Sequence, residues 1–208
     1  ATGFAGVSTH YAILLNRTDF AKRAFPRLRY LAHAGDKLPP ATASALAELF
    51  PKKEIYLMYG QSEAAPRLTF LDPARVRTKP GSVGQAIPGV RIRVTDGKGR
   101  ECVPGETGEI RAEGPNIMMG YWKRPDETAR ALRDGWLCTG DLATRDADGD
   151  LYIVGREKLF LKVGGHRVNP LEIESVIADL AGVAQAVAVG VDDAMLGQRI
   201  RICIVETT

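Results

Sequence analysis

Residues 135–174 read GWLCTGDLATRDADGDLYIVGREKLFLKVGGHRVNPLEIE, and the organisation of the chain turns on this stretch. A lone acidic residue, Asp141, follows a tight Thr139-Gly140 turn. An apolar strand runs from Leu151 to Val154 into Gly155-Arg156-Glu157-Lys158, and the paired Gly164-Gly165 precedes a capped helix. Small residues beside single charges mark backbone that passes close to something polar. The same pattern fits a run of surface turns between strands, and spacing alone leaves both readings open.

Downstream, Asn169 caps a helix with Pro170 in its first turn and Glu172 close behind. Ile173, Val176, Ile177 and Leu180 recur at i, i+3, i+4 and i+7, which predicts one buried helical face. Val183–Val191 and Ile200–Val205 read as strands, the second with Ile200, Ile202 and Ile204 on one side. This helix-strand-strand module has its own small core, so the domain boundary is set at Gly155-Arg156, giving 1–155 and 156–208.

Upstream, Thr9–Leu15 predicts a helix and Leu28–Ala34 a strand that stops at Gly35. Pro39-Pro40 opens a helix whose apolar face is Ala43, Leu46, Ala47 and Phe50, and Glu54–Met58 is a second strand. The β-α-β order implies parallel strands, with Gly35-Asp36-Lys37 and Tyr59-Gly60-Gln61-Ser62-Glu63 leaving the edge where α/β sheets bind ligands. A ring, a hydroxyl and a carboxylate in one loop suit a nucleotide and its metal, but these residues alone favour Glu63 as a helix start and Tyr59 as core.

From Lys79 the pattern becomes alternation with glycine-rich turns. Val90, Ile92 and Val94 interleave with Arg91, Arg93 and Thr95 before Asp96-Gly97-Lys98-Gly99, a hairpin signal. The fold class is therefore α/β: the end of an α/β sheet subdomain (1–78), a small antiparallel β-barrel (79–155), then the start of a small α+β C-terminal domain. Gly120-Tyr121-Trp122 and Gly135-Trp136 are read as aromatic core.

At 208 residues, with 45% hydrophobic and 25% charged, the chain has the composition of a globular protein with a sizeable core. A net charge of +3, with no block of Lys or Arg, gives no electrostatic case for nucleic acid. Three scattered cysteines argue for reduced thiols in the cytoplasm rather than disulfides or structural zinc. His10, His33 and His166 are too dispersed for a metal site. No apolar run reaches membrane-spanning length. The missing initiator Met and the strand-like end lead us to expect a piece of a longer protein, with open sheet edges or exposed apolar faces.

Five motifs in order, Tyr59-Gly-Gln-Ser-Glu63, Gly108-Glu-Ile with Gly120-Tyr-Trp122, Gly135-Trp with Thr139-Gly-Asp141, Gly155-Arg156-x-Lys158, and Gly164-Gly-His-Arg167 with Glu172-Ile-Glu174, resemble the adenylate-forming family. That family comprises AMP-forming acyl-CoA synthetases, adenylation domains of peptide synthetases, and luciferases. The resemblance implies a large AMP-binding domain ending near residue 155 and a small mobile domain beginning after it. It also implies an acid-thiol ligase using ATP, Mg²⁺ and CoA or a phosphopantetheine thiol.

By the same resemblance Tyr59 stacks on adenine, Gly35, Asp36 and Lys37 line the base, and Gly60 and Gln61 complete the nucleotide loop. Ser62 meets phosphate, Glu63 holds Mg²⁺, Asp141 accepts from the ribose hydroxyls, and Arg156 assists there. Lys158 falls on the hinge; Gly164, Gly165, His166 and Arg167 fall on the thiol side. The implied partners are a small carboxylic acid, ATP and CoA, with a carrier protein or a second copy of the chain left open. His10, Gly60 and Ala64–Arg67 border the implied acid pocket, and fatty acid metabolism is the expected setting.

The chain departs from the pattern in reading Gly-Asp-Lys at the adenine loop and Lys rather than Asp at the hinge. The family's phosphate-binding loop and C-terminal catalytic lysine are expected outside these residues, so the chain alone is expected to be inactive. A noncatalytic nucleotide-binding module or half-enzyme is the reading from another class.

Overall fold

Leu31 has no exposed surface, and its strand, β2 (Tyr30–His33), is buried from Leu31 to His33. A strand enclosed on both faces reads as a near-continuous apolar run, which explains the incomplete alternation of this segment. In the computed structural model residues 1–178, 180–193 and 195–206 are described, with the backbone alone at Lys158 and Arg167. They form two compact units, Ala1–Thr139 with Ala143–Ile153, and Gly140–Leu142 with Val154–Thr208.

In the first unit β1 (Gly3–Gly6) and β3 (Glu54–Tyr59) flank β2, both parallel to it. β4 (Thr69–Leu71) and β5 (Gln85–Ala86) extend the sheet antiparallel, in the order β1-β2-β3-β4-β5. Helices α1 (Ser8–Arg17) and α2 (Pro40–Leu49) supply Tyr11, Ala43, Leu46 and Ala47 to a core shared with Leu31, Leu57 and Leu71. Each fully buried leucine there contributes about 1.5–3 kcal/mol. The Tyr11 hydroxyl donates to the Ala32 carbonyl at 2.8 Å, and burial pushes its phenol up to about 12.

Two neighbouring parallel strands end together, so Gly35–Lys37 after β2 and Gly60–Glu63 after β3 leave the same edge. The second loop opens into a 3₁₀ turn, Ser62–Ala64.

An antiparallel sheet follows in the order β10-β9-β7-β6, built from β6 (Arg91–Thr95), β7 (Gly108–Glu113), β9 (Trp136–Arg145) and β10 (Leu151–Arg156). Short α3 (Pro125–Ala131) runs into β8 (Leu132–Arg133), which pairs with β9. A bridge between Gly84 and Leu151 ties the start of β10 to the residue before β5, and the strands curl as a half-barrel. The alternation holds as far as Val94, with Val94, Ile110 and Ala112 buried and Arg91 and Arg93 facing out, but it breaks at Thr95, which is buried.

Two local expectations change here. Thr139-Gly140 does not end a strand: both residues lie inside β9, where Gly140 takes φ +70°. Nor are the aromatics core. Trp122 is 85% exposed, Tyr121 is 39% exposed, and Trp136 lies beneath the Arg93 guanidinium at 4.5 Å. Glycine-aromatic pairs looked like packing units, but these rings sit on a connecting loop and an outer sheet face, where polar partners take them up.

The turn between β9 and β10 carries Asp146, Asp148 and Asp150, close enough together to hold a cation. Lys79 Nζ reaches Asp146 at 2.6 Å and Asp148 at 2.5 Å, and Arg75 Nη1 donates to buried Asp150 at 3.1 Å. These side chains supply the positive charge the acidic turn needs. Burial alone would raise Asp146, but the Lys79 hydrogen bond and the Asp150 and Asp148 backbone N–H groups outweigh it and hold it below the usual carboxylate range.

In the second unit β11 (Leu161–Val163), β12 (His166–Val168), β13 (Val183–Asp193) and β14 (Gly197–Glu206) form an antiparallel sheet in the order β12-β11-β14-β13. Helix α4 (Pro170–Ala178) is capped as its sequence predicts, with Asn169 Oδ1 accepting from Leu171 N at 3.2 Å. Its inner face is not the expected one. Val176 is 68% exposed and Leu180 lies past the helix end, while Pro170 is buried and Ile173, Glu174 and Ile177 are half-buried. The helix is rolled so that Glu174 accepts from Ala188 N on β13 at 2.8 Å, meeting a backbone donor that periodicity cannot see.

Ile202 and Ile204 sit opposite Ala188 and Ala186 and remain largely exposed. That side of β14 was expected to join a small core, and its exposure departs from that expectation. Among the described residues no helix is long and apolar enough to cross a membrane.

Candidate functional site

The first cluster of candidate residues stands at the edge shared by β2 and β3. Tyr59 closes β3 and packs half-buried against Ala64 and Leu68, while Leu68 N donates to the Tyr59 carbonyl at 2.9 Å. Gly60 follows because nothing larger fits: a Cβ there would lie 1.8 Å from the Pro66 carbonyl oxygen. Gln61 accepts through its carbonyl from Ala64 N at 2.9 Å, closing the 3₁₀ turn that leaves Ser62 exposed and Glu63 half-buried. Ala65 then takes φ +46°, unusual for a residue with a side chain.

That unusual backbone is held from a distance. The loop after β7 sends Asn116 Nδ2 to the carbonyls of Ala64 and Arg67 at 2.8 and 2.9 Å, and Met118 N to the Glu63 carbonyl at 2.8 Å. The Tyr121 hydroxyl donates to Glu63 Oε1 at 2.7 Å. Among the described residues Glu63 Oε2 takes no hydrogen bond or ion pair. Asn116 and Tyr121 were missed by sequence reasoning. Glu63 and Tyr121 are 58 positions apart, and no local period links them.

The neighbouring Gly35–Lys37 loop is anchored differently from what a base-lining role suggests. Gly35 takes φ +108°, and Lys37 is exposed. The Asp36 carboxylate turns back to the start of α1, where Oδ1 accepts from Ser8 N at 3.1 Å and the Ser8 hydroxyl at 2.9 Å. It also meets His33 Nε2 at 2.8 Å. Ser8 has one hydroxyl proton for Asp36 and the Lys37 carbonyl at 3.0 Å, so it serves one at a time. Asp36 thus caps a helix remote in sequence.

Burial pulls His33 below its ordinary value, against the opposing effect of Asp36. Burial pushes Asp36 the other way but is outweighed by the Ser8 N–H, His33 and the Ser8 hydroxyl, leaving it below the usual carboxylate range.

The second cluster belongs to the other unit. Arg156 Nε lies 3.0 Å from Asp141 Oδ1. Gly164 and Gly165, at φ +55° and +83°, make the two-residue turn between β11 and β12, where Val163 pairs with His166. Two consecutive positive φ angles are what a tight hairpin turn of that hand demands, so the glycine pair has a backbone reason of its own. Gly155 lies beside Asn169, where a Cβ would come within 3.3 Å of Oδ1. Arg167 pairs through its backbone with Lys162, and Lys158 follows the end of β10; the side chains of Lys158 and Arg167 lie outside the described residues.

Residues 1–122 match the family model described as AMP-binding enzyme. The chain belongs to the AMP-binding enzyme family. Among its curated relatives is the long-chain-fatty-acid–CoA ligase of Salmonella typhimurium, 37% identical over 99% of this chain and 36% of the relative. The feruloyl-CoA synthase of Amycolatopsis is 36% identical over 93% of this chain and 39% of that protein. Of solved family structures, the o-succinylbenzoate CoA synthetase of Bacillus subtilis with its acyl-adenylate intermediate superposes at a TM-score of 0.87, with 29% identity, over all of this chain and 42% of that one. The same synthetase with ATP and magnesium gives 0.83 and 30% identity over 99% of this chain and 42% of that one. This chain therefore spans well under half the length of these family members.

Glu63 has the chemistry of a divalent-cation ligand. It is a half-buried carboxylate with one oxygen fixed by a neutral hydroxyl and the other uncommitted, the hard oxygen donor magnesium prefers. The acidic turn at Asp146–Asp150 does not fit, because Lys79 and Arg75 already occupy it.

Proposed function

We propose that this chain is part of an AMP-forming acid-thiol ligase that activates a carboxylic acid with ATP and passes the acyl group to CoA. The observation that carries the reading is the Tyr59–Glu63 loop, locked by Gly60 and by the Asn116 and Tyr121 hydrogen bonds at the edge where parallel strands end. Family relatives that are CoA ligases support it.

In the proposed reaction a carboxylate oxygen attacks the α-phosphorus of ATP. The bond to the pyrophosphate oxygen breaks, leaving an acyl-adenylate; a thiolate sulfur then displaces AMP at the acyl carbon. Tyr59 stacks on the base and the Gly35–Lys37 loop lines it through backbone and Lys37, since the Asp36 carboxylate is engaged elsewhere. Such stacking contributes about 1–3 kcal/mol, enough to place the base. Gly60 and Gln61 shape the loop, Ser62 donates to a phosphate oxygen, and Glu63 holds Mg²⁺, which offsets charge developing on the phosphates.

Asp141 accepts from the ribose hydroxyls and Arg156 fixes that carboxylate. Residues 156–208 belong to the small domain, which turns about Lys158 between half-reactions and brings Gly164, Gly165, His166 and Arg167 to the thiol. Reduced cysteines fit a cytoplasmic enzyme.

The test uses the full-length protein with ATP, Mg²⁺, CoA and a panel of long-chain and aromatic acids, resolving nucleotide and thioester products. Acid-dependent AMP and acyl-CoA are expected. ADP as product, or no acid-dependent turnover with any acid, rejects the reading. Acyl transfer only to a carrier-protein pantetheine would keep the chemistry and change the acceptor.

A further inference from the structure

The loop after β7 does more than pin the Glu63 segment, and its last contact differs in kind from the others. The bonds from Asn116 and from Met118 N reach main-chain carbonyls of Glu63, Ala64 and Arg67, so they fix where the backbone runs. The bond from Tyr121 reaches the carboxylate itself, at 2.7 Å.

Tyr121 is in turn held by the start of α3. Its N–H donates to Thr128 Oγ1 at 2.9 Å, and its carbonyl accepts from Arg124 N at 3.2 Å. Gly120 passes so near Thr128 that a Cβ would come within 2.7 Å of Cγ2. The ring is 39% exposed, so apolar burial is not the main reason for its position. A rigidly mounted phenol therefore ends on a side chain whose backbone is already secured by other bonds.

We propose that Tyr121 is a positioning residue for the cation: it restrains the Glu63 carboxylate so that Oε2 is presented to Mg²⁺ before the metal arrives. The inference rests on the reading of Glu63 as the cation-holding carboxylate. A phenol suits the task because it donates a hydrogen bond without bringing a positive charge, leaving the carboxylate its full attraction for a divalent ion. A lysine or arginine in that place would compete with the metal, as Lys79 and Arg75 do at the acidic turn. A glutamate with no such restraint would have to give up rotamer freedom each time the cation bound.

The experiment compares native full-length protein with Tyr121→Phe and Glu63→Gln. Mn²⁺ is titrated in the presence of ATP and read by electron paramagnetic resonance, and the thermal midpoint is measured without metal. Tyr121→Phe keeps the ring and is expected to weaken Mn²⁺ binding about tenfold with an unchanged midpoint, the range seen when partners of metal ligands are removed. Glu63→Gln is expected to weaken it at least as much.

Native-like Mn²⁺ binding by Tyr121→Phe beside an impaired Glu63→Gln overturns the positioning role and leaves the Glu63 assignment standing. A fall in midpoint alongside affinity in Tyr121→Phe also overturns it, since the hydroxyl would then serve the fold. If Glu63→Gln binds Mn²⁺ like the native protein, the cation assignment fails first and the inference with it.

Discussion

Arg156 Nε lies 3.0 Å from Asp141 Oδ1, the carboxylate mostly buried and the guanidinium half exposed. Asp141 sits beside the φ +70° kink of Gly140 in β9, and Arg156 ends β10. A mostly buried acid held by a guanidinium has its orientation restrained, which is what a group gripping a sugar diol needs. Asp141→Ala in the full-length protein is expected to cut acid-dependent ATP–pyrophosphate exchange by about two orders of magnitude, the cost of losing reactant alignment. Arg156→Ala should cost less, because the carboxylate would remain. Near-native exchange by Asp141→Ala would remove this residue from the nucleotide site.

Gly60 offers a test that needs no activity. An alanine there would place its Cβ 1.8 Å from the Pro66 carbonyl, against main chain that cannot swing aside. Gly60→Ala should lose about 3 kcal/mol or more, the upper range for overpacking. Gly97→Ala, where a Cβ meets nothing within 4 Å, should be close to neutral. Both tryptophans, Trp122 and Trp136, lie in the same unit as Gly60, so their fluorescence in a denaturant titration reports the right part of the chain. Equal midpoints for the two variants would mean the close approach is not real.

The His33–Asp36–Ser8 cluster predicts a direction of pH dependence. His33 is depressed by burial, so between its folded value and the ordinary 6.5 the unfolded chain binds more protons, and stability falls as pH drops below 6.5. Asp36 is held below its ordinary 3.8, so its contribution is complete above that value and is lost on further acidification. Both signs agree: the unit loses stability on the acid side. Replacing His33 with Gln, which keeps a donor for Asp36 and cannot titrate, should flatten the loss between pH 6.5 and 5 in tryptophan-detected denaturation. An unchanged slope would show that His33 does not govern it.

Lys79 should matter more at neutral than at acid pH. Its pKa is raised first by hydrogen bonds to Asp146 and Asp148, and Asp146 is correspondingly lowered, so the attraction is present at pH 7 and fades as Asp146 protonates. Lys79→Ala should lower the thermal midpoint at pH 7 and converge on the native value in acid. A constant difference across pH would assign the effect to packing of the lysine stem instead.

Much of the fold was legible before any coordinates. Pro39-Pro40 and the spacing of Ala43, Leu46 and Ala47 gave a helix with its buried face, and Asn169-Pro170 gave a cap that the Asn169 Oδ1 hydrogen bond realises. These signals are local: a cap or an amphipathic face is written within a few residues. The errors share the opposite property. Tyr121, Trp122 and Trp136 read as core because aromatic rings usually are, yet Tyr121 meets a carboxylate and Trp136 a guanidinium far along the chain, while Trp122 lies exposed beside its neighbour Lys123. The face of α4 was misjudged because Glu174 answers a backbone N–H on β13.

The sequence by itself determined that parallel strands precede antiparallel ones, where α2 and α4 start, and that Gly140 and Gly164-Gly165 stand where the backbone has special demands. Only the tertiary structure decided which side chains complete one another: Tyr121 with Glu63, Asn116 with the carbonyls of Ala64 and Arg67, Asp36 with Ser8 and His33, Arg156 with Asp141. The reason is physical. Backbone preferences and periodicity act over a turn or two of chain. A hydrogen bond needs its partners within about 3 Å, whatever the length of chain between them.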